Sequence, residues 1–149
     1  MLQHFRKRTS ATSLLKACRH THQHGTFAIA LAVAIHEQGH GLGVEFYSEA
    51  DPDMHFIEVE CYGRAAEIGI YRNEPPALDS ILAKVNSCCI PIILYNAEGD
   101  VGHYSPIVGI DGKWVLLPYT DEKFMLKEEL QIRWSAPGIF RQCILIHGS

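Results

Sequence analysis

Three groups of side chains in this chain have the types and spacing that chemistry needs. His36-Glu37-Gln38-Gly39-His40 is an H-E-x-x-H pattern. On a helix, His36 and His40 fall one turn apart on one face and can share a zinc ion, with Glu37 as the base on a metal-bound water. Cys18, His20, His22 and His24 alternate in CRHTHQHG. Extended backbone turns alternate side chains to one side, which would offer three imidazoles and a thiol to a transition metal. A solvated connection between two helices accounts for the same residues. The third group is the cysteines, Cys18, Cys61, Cys88, Cys89 and Cys143. A catalytic thiol needs a nearby base or a helix N-terminus to favour its thiolate.

The elements that must position these groups follow from periodicity and punctuation. Ser10 is a suitable N-cap for a short helix from Ala11 to about Cys18, and Gly25-Thr26 starts a second, from Phe27 to about Gln38. That second helix is apolar nearly all round, which predicts a central buried helix. Gly39, Gly41 and Gly43 end it ahead of a short strand from Val44 to Tyr47. Asp51-Pro52-Asp53 is expected to cap a third helical region reaching Glu67, with Gly69 closing it. Leu78, Ile81, Leu82 and Val85 form an i, i+3, i+4, i+7 stripe, a helix packed on a sheet. The isoleucine-rich run from Ile90 to Tyr95 predicts a core strand. His103 to Ile110 and Lys113 to Leu117 are expected as a hairpin about the Asp111-Gly112 turn. A short helix from Leu126 to Ile132, a turn at Ala136-Pro137-Gly138 and a strand from Ile139 to Ile146 complete the chain.

Set on these elements, the chemistry narrows. Cys18 falls near the end of its helix, where a thiolate is disfavoured; Cys88 and Cys89 precede a strand, and Cys143 fills a strand core. Gly39, Gly41 and Gly43 fray the helix at His40, and Phe46 stands where a longer zinc-peptidase pattern has its third histidine. No cofactor is therefore expected, with zinc on His36 and His40 as the alternative. The 149 residues suffice for one domain, residues 1–149, with a core of its own. A net charge of −4 argues against nucleic acid, because phosphate binding needs clustered lysine and arginine. The longest apolar run, Phe27 to Ile35, is too short to span a bilayer, so no membrane partner is expected. Residues 1–16 have no signal-peptide core, and an odd number of cysteines without framework spacing points to the reducing cytoplasm.

The order of helix, IPIIL strand, His-led strand, Asp-Gly turn and strand, with the step Gly102-His103-Tyr104, resembles the second half of papain-like cysteine peptidases of the bacteriocin-processing, double-glycine leader type. That resemblance implies a small α+β papain-like fold, an antiparallel sheet of the strands beginning at Ile90, His103, Lys113 and Ile139 packed against the central helix. It implies that His103 is the general base, facing a groove at the N-terminal end of the Phe27 helix. The family's aspartate or asparagine before a proline falls here on Leu117-Pro118, and Asp121 is the nearest substitute. No cysteine opens an early helix, so the expectation is a cysteine-peptidase-like domain that binds or processes a peptide, with a peptide or protein as partner and an incomplete catalytic site. Two alternatives stand beside it: an active thiol hydrolase or acyl transferase using Cys18 and His103, and the zinc hydrolase of the H-E-x-x-H motif.

Overall fold

The computed structural model describes residues 5–7, 10–38, 41–97 and 102–148. Ser10 caps helix α1 (Ala11–Ala17), its hydroxyl accepting from the Ser13 amide at 3.0 Å. The apolar stretch forms α2 (Ala28–Glu37), buried at every position from Ala28 to Ile35 except Leu31. Helix α3 (Phe56–Glu67) starts later than expected, and its cap is His55 in place of the Asp51-Pro52-Asp53 run. His55 Nδ1 accepts from the Ile57 amide at 3.3 Å, and Glu58 accepts from the His55 amide at 3.0 Å, a reciprocal capping box. Gly69, at φ +73, then closes the helix as expected.

Strands β1 (Gly43–Ser48), β2 (Tyr71–Arg72), β3 (Cys89–Asn96), β4 (Gly102–Pro106) and β8 (Gln142–His147) make one sheet in the order β2-β1-β8-β3-β4. All its pairings are antiparallel except β1 with β2. A second, antiparallel sheet holds β5 (Gly109–Asp111), β6 (Trp114–Leu116) and β7 (Phe124–Leu126). Helices α4 (Leu78–Leu82) and α5 (Lys127–Trp134) complete an α+β fold. The single sheet expected from four strands is thus two: the Lys113 strand joins the second sheet, and β1 and β2 enter the first.

The division arises within the run expected as one strand from His103 to Ile110. Ile107 donates to the Pro91 carbonyl at 2.8 Å, and the next residue, Val108, donates to Leu116 at 3.1 Å. The chain therefore changes partner from β3 to β6 between two residues. Pro91 suits this point, because the donor it lacks would have served a strand that is already leaving. Gly112, at φ +56, turns β5 into β6, a conformation that glycine adopts without strain.

Strand alternation gives the larger sheet two unlike faces. Val44, Phe46, Ile92, Ile144 and Ile146 turn to α1, α2 and α3 and form one core. Ile93, Tyr95, Cys143 and Leu145 turn to α4, α5 and the smaller sheet and form another, with Ile107, Val115 and Leu117. Across the edge of the first face, Glu49 and Arg141 clamp β1 to β8. The Arg141 amide donates to Glu49 Oε2 at 2.9 Å and its Nε to Oε1 at 2.7 Å.

Two predictions come from this packing. Trp134 ends α5 in the second core at 1% exposure while Ile132 stands 73% exposed on the same helix. Trp134→Ala should cost about 3–5 kcal/mol in urea unfolding, and Ile132→Ala less than about 0.5 kcal/mol. Equal losses would mean that α5 does not pack through Trp134. The second prediction concerns acid. Hydrogen bonding to Arg141 holds Glu49 below the usual carboxylate range. Its folded pKa is below the unfolded one, so the stabilisation is full above the unfolded value of about 4.3 and is lost as pH falls through the folded value. Both side chains are partly exposed, so the effect is at most about 1 kcal/mol. Glu49→Gln should flatten that part of the acid limb in urea titrations, and an unaltered limb would remove the clamp as its source.

Candidate functional site

His103 is the second residue of β4 and lies opposite Tyr95 of β3, so both side chains leave the same face of the sheet. Their rings meet edge to face, with centroids 5.7 Å apart at 78°. Gly102 precedes it where a Cβ would come within 3.0 Å of Leu94 Cδ1, so the backbone there is crowded. Tyr104, the next residue, takes the opposite face and donates its hydroxyl to Gln142, which donates in turn to Ser48 Oγ at 3.1 Å. Burial pushes the Tyr104 hydroxyl pKa up, and that of neighbouring Tyr62 up to about 12. Tyr104 thus donates as a neutral phenol to Gln142, with Ser48 beyond it, on the face away from His103.

A cavity of about 540 Å³ opens beside His103, walled by Tyr95, Tyr119, Thr120, Asp121, Glu122 and Arg133 among others. The loop that follows β6 builds one wall. Leu117 donates to the Lys123 carbonyl at 2.9 Å, and Thr120 Oγ1 lies 2.9 Å from the Leu117 carbonyl and 2.5 Å from that of Glu122. This tight loop carries Tyr119 outward, 66% exposed, with Asp121 beside it. Helix α5 supplies the far wall through Arg133. Its Nη2 lies 2.6 Å from Glu129 and 3.9 Å from Glu122. Burial raises the Tyr95 hydroxyl pKa, and the nearby Arg133 charge opposes that rise.

Within this cavity one group stands out. His103 Nε2 is shut off from solvent and has no hydrogen-bond partner among the described residues. An unsatisfied buried polar atom of this kind costs about 1–3 kcal/mol, so its retention calls for a reason. Asp121, the expected substitute for the third member of a triad, shares the cavity with His103 but makes no bond to Nε2.

The structure does not bring Cys18 to His103, and the expected groove between His103 and the N-terminal end of α2 is absent among the described residues. Helix α2 covers the face of Val44 and Phe46, whereas His103 shares the opposite face with Tyr95. Cys18 caps the C-terminus of α1 at 2% exposure in the first core, its Sγ donating to the Leu14 carbonyl at 2.7 Å. Desolvation pushes that thiol up, as it does Cys61, Cys89 and Cys143. Cys88 alone is exposed, in a separate cavity of about 260 Å³ that Arg6 and Lys7 help to line.

The metal candidates also come apart. His36 is exposed on the last turn of α2, Glu37 is paired with Arg64 at 2.6 Å, and His40 lies outside the described residues. The His-rich segment is not extended: Thr21 and Gly25 exchange backbone bonds of 3.0 and 2.8 Å, closing a turn. The turn sends His20 to Thr26 at 2.8 Å and His24 against His55, with centroids 4.7 Å apart, while the Cys18 thiol points inward. Among the described residues no group of three or more His, Cys, Asp or Glu side chains could hold a metal ion, and no helix is long and apolar enough to cross a membrane.

Tyr95 and Arg133 were not anticipated as site residues. Tyr95 could have been found by counting back across the turn from His103, since a hairpin sets paired residues on one face. Arg133 has no such signal, because only tertiary packing brings α5 beside β3.

A thiol prediction follows from this geometry. Iodoacetamide should alkylate Cys88 first and the four buried cysteines slowly, rising only at alkaline pH, because their thiolates are disfavoured. His103→Ala should leave every rate unchanged when read by mass spectrometry. Fast labelling of Cys18 at acid pH that disappears with His103→Ala would restore the Cys-His pair.

With the geometry established, comparison of the chain with protein-family models, with curated proteins and with solved structures finds no match in any of the three.

Proposed function

We propose that this chain is a peptidase-like domain that binds a peptide in the cavity around His103 and performs no thiol chemistry there. The observation that carries the reading is the solvent-shielded, unpartnered Nε2 of His103 beside a cavity walled by two tyrosines and by charged groups of both signs. A pocket with an aromatic lining and a few convergent polar groups suits a side chain of a bound ligand better than it suits packing. The four buried cysteines have their thiolates disfavoured, and none lines this cavity.

The edge of the sheet adds a second support. β4 is the last strand in its order. Since Ile107 donates to Pro91, the bonded positions along β4 recur every second residue, at Ser105 and His103. The amides and carbonyls of Gly102 and Tyr104 therefore point away from β3. An extended peptide can add to such an edge through its main chain and put one side chain in the adjoining cavity. Because His103 faces away from α2, the support comes from the sheet edge and the cavity and not from the papain-like arrangement.

Random peptides displayed on phage and selected on the intact chain test this. Enriched sequences, synthesised and titrated, should bind wild type and lose about tenfold or more in affinity with His103→Ala or Tyr119→Ala, the loss of one good contact. Because Tyr119 is exposed, its variant should fold normally and keeps the test open if His103→Ala does not. Failure of any sequence to enrich, or equal binding to wild type and both variants, would sink the reading.

A further inference from the structure

We infer that the side chain accepted by the His103 cavity is cationic, a lysine or arginine of the bound peptide; this rests on the peptide-binding reading above. The argument is one of charge accounting at the cavity wall. Asp121 presents a carboxylate on an exposed loop, and Glu122 presents another at 63% side-chain exposure. The one formally charged basic side chain on the lining is Arg133, and it is already engaged by Glu129 at 2.6 Å, a residue that does not line the cavity. Glu122 lies 3.9 Å from the same guanidinium, so one cation is shared between two carboxylates, and Asp121 is the lining carboxylate that it does not engage. An anionic side chain would enter against Asp121 and Glu122 and would have to displace Glu129 to reach a cation. A basic one meets Asp121 without displacing anything.

The walls suit the rest of such a side chain. Tyr119, 66% exposed, offers an open ring face, so an aliphatic stem can lie on apolar carbon while its charged end reaches the loop. A cation over a tyrosine face gains a further attraction. Partly exposed carboxylates are screened, so the preference for charge is modest and falls with added salt.

The test is a titration of the full, isotope-labelled chain, followed by amide chemical shifts. Three acetylated and amidated tripeptides are compared at millimolar concentration: Ala-Lys-Ala, Ala-norleucine-Ala and Ala-Glu-Ala. The lysine peptide should shift the amides of His103, Tyr119, Thr120 and Asp121 and bind up to about fivefold more tightly than the norleucine peptide, with the glutamate peptide weakest. Asp121→Asn, a change on an exposed loop, should remove most of the lysine advantage, as should added salt. Equal binding of lysine and norleucine peptides at these amides would overturn the cationic assignment and leave peptide binding standing, and preference for glutamate would do the same. No shift at the cavity with any of the three would overturn the peptide-binding reading as well.

Discussion

The structure depends on β3 being covered on both faces. Its residues Cys89 to Ile93 are all buried, so helices or strands must be supplied on each side. On one side α2 provides the cover; on the other, α4, α5 and the smaller sheet provide it. A strand of this kind separates the molecule into two cores, on opposite faces of the larger sheet. Whatever a side chain of the larger sheet can touch is then decided by whether it points up or down. That parity puts His103 with Tyr95 and Arg133, Tyr104 with Gln142 and Ser48, and Cys18 beyond reach of either ring nitrogen.

The same constraint explains which parts of the fold were legible in the sequence. Helices α1 and α2 and the stripe of α4 carry caps or periodicity of their own, so their place along the chain could be read locally. The His-led strand and its Asp-Gly turn were legible for the same reason. Parity was not. Ile90, Pro91, Ile92 and Ile93 are apolar on both faces, and a run without alternation contains no information about which face meets which helix. The expectation that His103 faces α2 chose one of two equivalent assignments, and tertiary packing took the other. The three-residue strand β7 was missed because so short a span shows no period, and β5 was read as the end of the His-led strand because nothing local marks the change of partner between Ile107 and Val108. The cap of α3 went unread because a histidine took the role that aspartate more often fills.

For the site the division is similar. His103 and Asp121 were legible as residues and do line one cavity, but their partners were not. Tyr95 follows from hairpin register. Arg133 comes from a helix twelve residues beyond Asp121 in sequence, carried back by the burial of Leu130 and Trp134 against β3. The motif with the clearest pattern in the sequence, His36-Glu37-x-x-His40, has its glutamate turned to Arg64 and its first histidine in solvent. Spacing along a helix sets two side chains on one face, but it does not empty the space between them of other partners.

Polar groups are distributed unevenly between the two faces, and this bears on what each face can do. On the α3 side, Tyr104, Gln142 and Ser48 satisfy one another, and a network closed in this way specifies packing and offers nothing to a ligand. On the α5 side, the loop hydroxyl of Thr120 and the guanidinium of Arg133 are also occupied, yet His103 Nε2 is not. The two faces carry chemically similar residues, tyrosine, a hydrogen-bonding side chain and a hydroxyl, so composition does not distinguish them. The difference is that one set is complete without a further molecule. A buried donor or acceptor left open at a cost of about 1–3 kcal/mol is stable only if the rest of the fold holds it there. Here β3 pairing, the Tyr95 ring and the loop from Leu117 to Lys123 do so, which makes the α5 side the face where binding free energy can be gained.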